Sequence, residues 1–183
     1  MSKQRIGMTD ITTQALAVVD NDGVKALTLS NVADRLSVGP SALYTHVDGL
    51  DGLRNVVAVA ATNNLTDAVR NAAIGVSGDN AVAAMGNAYR GFALGHPGQF
   101  ASTLLPPIGN SADLAEASQS LLGVFALVYS GMGLTPEASA LAARSTRSAI
   151  HGFLALEHLT GTTPAHDEEY QHLLETLERG LAR

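Results

Sequence analysis

The chain has no cysteine and no tryptophan, few aromatic residues (4%) and few charged ones (15%). Without cysteine it can form no disulfide and offer no thiolate to a metal, which fits a reducing compartment. No run of about 18 apolar residues occurs, so a membrane-spanning helix is not expected. The opening residues, MSKQRIGMTDITTQ, lack the apolar core of a signal peptide. The expectation is a soluble, cytoplasmic chain that makes no membrane contact. The signatures of common enzymes are also missing. There is no His-Glu-x-x-His pair, no Gly-x-Ser-x-Gly, no phosphate loop and no dinucleotide fingerprint. Glu168 and Glu169 precede His172 at helix-face spacing, but a solvated helix start explains these acids more simply than a metal site. No catalytic activity, metal or cofactor is expected.

What is present points to helices. Of 183 residues, 46% are hydrophobic, enough for a sizeable core, and alanine, the strongest helix former, is abundant. The net charge of −6 argues against a purely electrostatic nucleic-acid binder. The charge is uneven, however. Residues 1–55 carry five basic and six acidic groups, and the remainder six basic and eleven acidic. The first part is close to neutral and the rest is acidic.

Apolar spacing predicts a first helix from Thr9, taken as its cap, with Ile11, Ala15, Val18 and Val19 inward and Asn21-Asp22-Gly23 as its end. Thr28 is placed to cap a short second helix with Leu29, Val32, Ala33 and Leu36 on one face. Pro40 suits the first position of a third, with Ala42, Leu43 and Val47 inward and Ser41, Tyr44, Thr45 and His46 outward. Asp48 and Asp51 read as turn and cap residues, and a long helix follows from Leu53 to about Ala73. Gly75-Val76-Ser77-Gly78 is a link. Beyond it the expected helices are Asn80 to Gly95, Phe100 to Leu105 stopped by Pro106-Pro107, Ser111 to Tyr129, Thr135 to Leu159, and Asp167 to Leu181. No strand-like alternation or repeat is found. The expected fold is all-α, with about nine helices: a helix-turn-helix head at 1–54, then a helical bundle at 55–183.

Three short helices before a long one is a helix-turn-helix layout. The stretch LTLSNVADRLSVGPSALYTHVDGLDGL resembles the DNA-binding domain of the tetracycline-repressor (TetR) family, over Met8 to about Ala61. The marks are Gly23, Leu27-Thr28, Val32-Ala33, and above all Leu43-Tyr44 with His46-Val47. The resemblance implies that Thr28, Pro40, Ser41, Tyr44, Thr45 and His46 contact double-stranded DNA. The chemistry agrees. Short outer side chains let a helix sit deep in the major groove, Thr45 can meet a thymine methyl, and Tyr44 and His46 can reach phosphates. Tyr44 packing between helices and His46 as a plain surface histidine are the competing readings. Many relatives carry a lysine where this chain has Leu50, inside Asp48-Gly49-Leu50-Asp51. A phosphate clamp is therefore missing, and Lys3 and Arg5 could compensate as an N-terminal arm.

Two looser stretches, AYRGFALGHPGQF and SAIHGFLALE, resemble the C-terminal domain of a Trp-His-Gly subgroup of the same family. His151-Gly152 is kept and the tryptophan is absent. The resemblance implies a pocket for a small, mostly apolar effector, with Tyr89, Phe92, His96, Phe100, Phe125, Tyr129, Met132 and His151 as lining candidates; core packing is the competing reading for each. It also implies a homodimer matched to a palindromic operator, its recognition helices about 34–36 Å apart. Leu141, Ser145, Ala149, Gly152, Phe153, Leu156, Leu173 and Leu177 are candidate interface residues. The expected function is a ligand-responsive repressor. The alternative is a helical scaffold or binding protein whose DNA-binding head has decayed.

Overall fold

The computed structural model describes residues 6–105 and 111–181. Among them it holds α-helices, short 3-10 segments and no strand. Helices α1 (Met8–Asp22) and α2 (Leu29–Arg35) are followed by a 3-10 segment, Pro40–Thr45, and by the long α3 (Gly49–Ala73). Then come α4 (Asp79–Gly95), α5 (Pro97–Thr103), α6 (Ala112–Gly131), α7 (Pro136–Thr160) and α8 (Pro164–Leu181). Lys3, Arg5 and the expected stop at Pro106-Pro107 lie outside the described residues. No helix among those described is long and apolar enough to cross a membrane.

Two compact units form. The first takes residues up to Thr62 together with His96–Leu114, and the second takes Asn63–Gly95 with Ala115–Arg183. The first unit therefore extends beyond the contiguous opening segment and recruits α5 from far along the chain. Its core joins Ile11, Ala15, Val18 and Val19 of α1 to Val32, Ala33, Leu43, Val47, Leu53 and Val57. At about 1.5–3 kcal/mol for each large side chain removed from water, this cluster is the head's main source of stability. Helix α5 adds to it through a close backbone approach. A Cβ at Gly98 would fall 1.8 Å from the Val19 carbonyl oxygen, so only glycine fits. Asp20 fastens the same junction, accepting from the Gln99 amide (2.9 Å) and from Gln99 Nε2 (2.7 Å).

The second unit packs α4, α7 and α8. Met85, Tyr89, Leu121, Phe125, Tyr129, Ile150, Leu154, Tyr170 and Leu174 are buried. Gly86 lets α8 close on α4: a Cβ there would sit 2.4 Å from Leu174 Cδ2, and Tyr170 Oη donates to the Gly86 carbonyl (2.5 Å).

Some local expectations are corrected. Thr9 does not cap α1. The helix starts from Gly7, whose amide donates to Asp10 Oδ2 at 2.8 Å. Asp51 lies in the first turn of α3 and pairs with Arg54 (3.2 Å) instead of capping. The third helix is a 3-10 segment closed by bonds such as His46 N–H to Leu43 O (2.9 Å). Helix α5 begins at Pro97 and α8 at Pro164, each ahead of its expected start, because a proline's fixed φ suits a first turn.

Candidate nucleic-acid interface and effector site

Thr28 caps α2, its Oγ1 accepting from the Asn31 amide (3.1 Å), while Asn31 Nδ2 donates back to the Ala26 carbonyl (2.7 Å). Arg35 pairs with Asp22 (2.9 Å) and ties the ends of α1 and α2. The turn between α2 and Pro40 needs a left-handed residue, and Ser37 supplies it at φ 55°. The following segment is anchored by Leu43 and Val47, both buried. Their burial turns the intervening residues outward. Tyr44 is 62% exposed, which removes the reading that it packs between helices. Pro40, Ser41, Thr45 and His46 are exposed with it, and Thr45 Oγ1 donates to the Ala42 carbonyl (2.8 Å). The structure brings these side chains to one outward segment packed against α2, whose N-terminus carries a partial positive charge.

Leu50 is half-buried and packs against the head core. Near it, Asp48, Asp51, Gly52 and Asn55 line an open depression of about 400 Å³ with Ser111, Ala112 and Asp113. Three aspartates face this space, yet no cluster of metal-ligating side chains is formed among the described residues.

The effector candidates divide between the units. His96 and Phe100 belong to the first. His96 Nδ1 donates to Asp20 Oδ2 (3.1 Å), and Phe100 is buried in α5. Tyr89, Phe92, Phe125, Tyr129, Met132 and His151 fall in the second. There Tyr89 Oη lies 2.8 Å from His151 Nδ1, and the two rings meet edge-on at 6.1 Å. Tyr129 Oη meets Thr146 Oγ1 at 2.6 Å. Burial is the main cause of the perturbed acidities. It pushes the Tyr89 phenol up to about 12 against the opposing Arg147 charge. It also lowers the His151 imidazole to about 4, with Arg147 adding to the effect. Both groups are neutral near pH 7. The Tyr129 phenol is likewise raised by burial.

Met132 lines a different space, a groove of about 650 Å³ with Leu134, Ala138, Leu141, Ala142, Ser145 and Leu177 among its walls. Of the candidate interface residues, Leu141 (60%) and Leu156 (65%) are strongly exposed, as are Ser145 and Gly152, while Ala149, Leu173 and Leu177 are half-buried. Phe153 packs within its own chain against Tyr170, ring centroids 5.2 Å apart.

Sequence reasoning missed the charged groups of this unit. Arg90 donates to both oxygens of Glu157 (3.0 and 2.6 Å) and pairs with Asp167 (2.7 Å), its guanidinium 5.1 Å from the Tyr170 ring centroid. Arg147 faces Tyr89 and His151. The available signal was Arg147 standing one turn before His151 on a helix of small and apolar residues.

Residues 82–177 match the family model for the tetracyclin repressor-like C-terminal domain. The HTH-type transcriptional regulator Rv0681 of Mycobacterium tuberculosis is 32% identical over 158 residues, 86% of this chain and 72% of the relative. Among solved structures, a TetR variant from Acinetobacter baumannii AYE in complex with minocycline superposes with a TM-score of 0.75 at 17% identity, covering 97% of each chain. BioQ with its double-stranded DNA operator gives 0.68 at 19% identity, covering 95% of this chain and 99% of that one. The head geometry, the match across the second unit and the 32% relative agree: the chain belongs to the tetracycline-repressor-like family of helix-turn-helix transcriptional regulators.

Proposed function

We propose that this regulator is a homodimeric, cytoplasmic, ligand-responsive repressor that works by binding and not by catalysis. One observation carries the DNA-binding assignment. Leu43 and Val47 are buried while Tyr44, Thr45 and His46 between them point to solvent. Such a segment inserts polar and short side chains into a major groove. Thr45 then reads a base edge, and Tyr44, His46 and the Thr28 helix start position phosphates. The solved BioQ–operator complex supports this use of the fold. The minocycline-bound TetR structure supports an effector seat in residues 55–183. Residues 1–54 form the reading part. Two copies reading a palindrome call for a two-fold interface, and the exposed Leu141 and Leu156 with the small Ser145 and Gly152 between them on α7 suit close helix pairing.

The mechanism is a population shift. DNA favours one spacing of the two heads and effector another, and the effector acts only through its differential affinity for the two states. The test is binding of the purified protein to its own upstream DNA against a scrambled fragment, across a salt series. Specific retention is expected, weakened about tenfold by Thr45→Ala or Tyr44→Ala. Absence of any preference, also after unfolding and refolding to strip carried ligand, would leave a helical binding protein without a reading head.

A further inference from the structure

Helix α7 sets Arg147 and His151 one turn apart on the side that meets Tyr89 of α4. Among the described residues no carboxylate pairs with the Arg147 guanidinium. All seventeen acidic residues of the chain lie within the described part. Of the other described basic residues in the same unit, Arg90 is held by Glu157 and Asp167, Arg70 by Asp67 and Arg179 by Glu175, while Arg144 is exposed to solvent. Among the described residues no carboxylate comes within ion-pairing distance of Arg147, and its Nε is shielded from solvent with no hydrogen-bond partner. A desolvated donor left unmade, on a cation without a counter-charge, opposes folding.

The Tyr89 phenol hydrogen-bonds the guanidinium, but the neighbours bring no negative charge. Tyr89 and His151 are both neutral near pH 7, the phenol because burial outweighs the nearby cation and the imidazole because burial and the cation act together. The cluster thus carries one net positive charge and two polar groups joined by a 2.8 Å hydrogen bond. Buried Met85 and Phe92 flank Tyr89 on α4, and buried Ile150 and Leu154 neighbour the pair on α7. A group that completes this site is an anion, and the molecule carrying it is otherwise apolar.

We propose that Arg147, with Tyr89 and His151, seats the carboxylate of an apolar carboxylic acid, and that this acid is the class of effector the regulator senses. The guanidinium fork matches a carboxylate with paired bonds, and the Tyr89 hydroxyl offers a further donor. The effector role depends on the ligand-responsive reading above; the carboxylate seat does not.

The test uses the full chain without DNA and a matched pair of probes, decanoate and 1-decanol, below their aggregation limits. Calorimetric titration should show decanoate binding about tenfold or more tighter than the alcohol, the gain of a charge-assisted bond. Arg147→Gln should erase that preference, and an unchanged helical circular-dichroism spectrum and cooperative urea unfolding show that the variant is folded. Arg147→Lys should keep part of it, and Tyr89→Phe should weaken decanoate alone. Equal binding of acid and alcohol, a preference that survives Arg147→Gln, or no binding by any straight-chain acid from hexanoate to dodecanoate would overturn the seat. A dimer that dissociates in Arg147→Gln with no acid preference in the parent would overturn it too, because Arg147 would then serve a second copy's carboxylate. DNA retention is read separately. Acid binding that never alters DNA retention would overturn the effector role alone, and specific DNA retention without acid binding would overturn the seat alone.

Discussion

A proton on His151 would have to enter a buried position that already faces the Arg147 cation, so the imidazole is held at about 4, well below its usual 6.5. Between those values the unfolded chain binds a proton that the folded chain refuses. Stability is therefore intact above the unfolded value and is lost as pH falls through the window. The ring is only partly screened from water, which trims the effect to about 1 kcal/mol between pH 7 and pH 5. Urea midpoints at those two pH values should fall accordingly for the parent chain. In His151→Gln, which keeps a hydrogen-bonding partner for the Tyr89 hydroxyl, this share of the decline should vanish. An equal decline in both proteins would show that the proton goes elsewhere.

At the scale of elements, α4, α7 and α8 are joined by one buried ionic knot. Glu157 is 3% exposed and takes both hydrogen bonds from Arg90, while Asp167 of α8 holds the same guanidinium. Arg90→Ala strands the Glu157 carboxylate and should cost about 3–5 kcal/mol in urea unfolding. Replacing both partners by methionine should recover most of that loss, since a pair swapped for apolar volume is close to neutral. A double variant as unstable as the single one would assign the loss to packing and not to the stranded charge. Such knots are invisible to periodicity. A helical pattern tells which side of α4 or α7 turns inward, but not that Arg90 meets Glu157 67 positions away, or that Asp20 meets Gln99 across 79. Local chemistry was legible where one residue decides it. Thr135-Pro136-Glu137 opens α7 as its pattern predicts, with Thr135 Oγ1 accepting from the Ala138 amide (3.3 Å). Leu43 and Val47 go inward and Tyr44 outward, so the solvent-facing residues of this segment could be picked from spacing and resemblance together. The same segment misled on helix type. Six residues rich in serine, tyrosine and threonine are too short to propagate an α-helix and settle into the tighter 3-10 turn. For His96 and Phe100 the pattern left the packing partner open: an apolar, aromatic stretch looks alike whether it lines a cavity or docks on α1, and the glycine contact at Val19 shows the docking of their helix.

For the whole molecule, the question is how a chain of net charge −6 approaches a polyanion. The head carries little excess charge, and its exposed Asp48 and Asp51 lie either side of Leu50, the position where many relatives carry a lysine. Arg54 is already engaged by Asp51, so it is not a ready phosphate partner. On the proposed reading, affinity comes more from the groove contacts of Thr45 and its neighbours and from helix-start amides than from counterion release, and its salt dependence should be shallow. Leu50→Lys tests this directly. The position is half-buried against the head core, and a lysine stem can lie along that apolar surface while its ammonium reaches out. Each added phosphate contact steepens the plot of log affinity against log salt by about 0.9, so two copies in a dimer should steepen it by about two. Specific and scrambled DNA should gain alike, because a phosphate contact carries no sequence information. An unchanged slope in a folded Leu50→Lys protein would mean that the start of α3 does not face the DNA backbone.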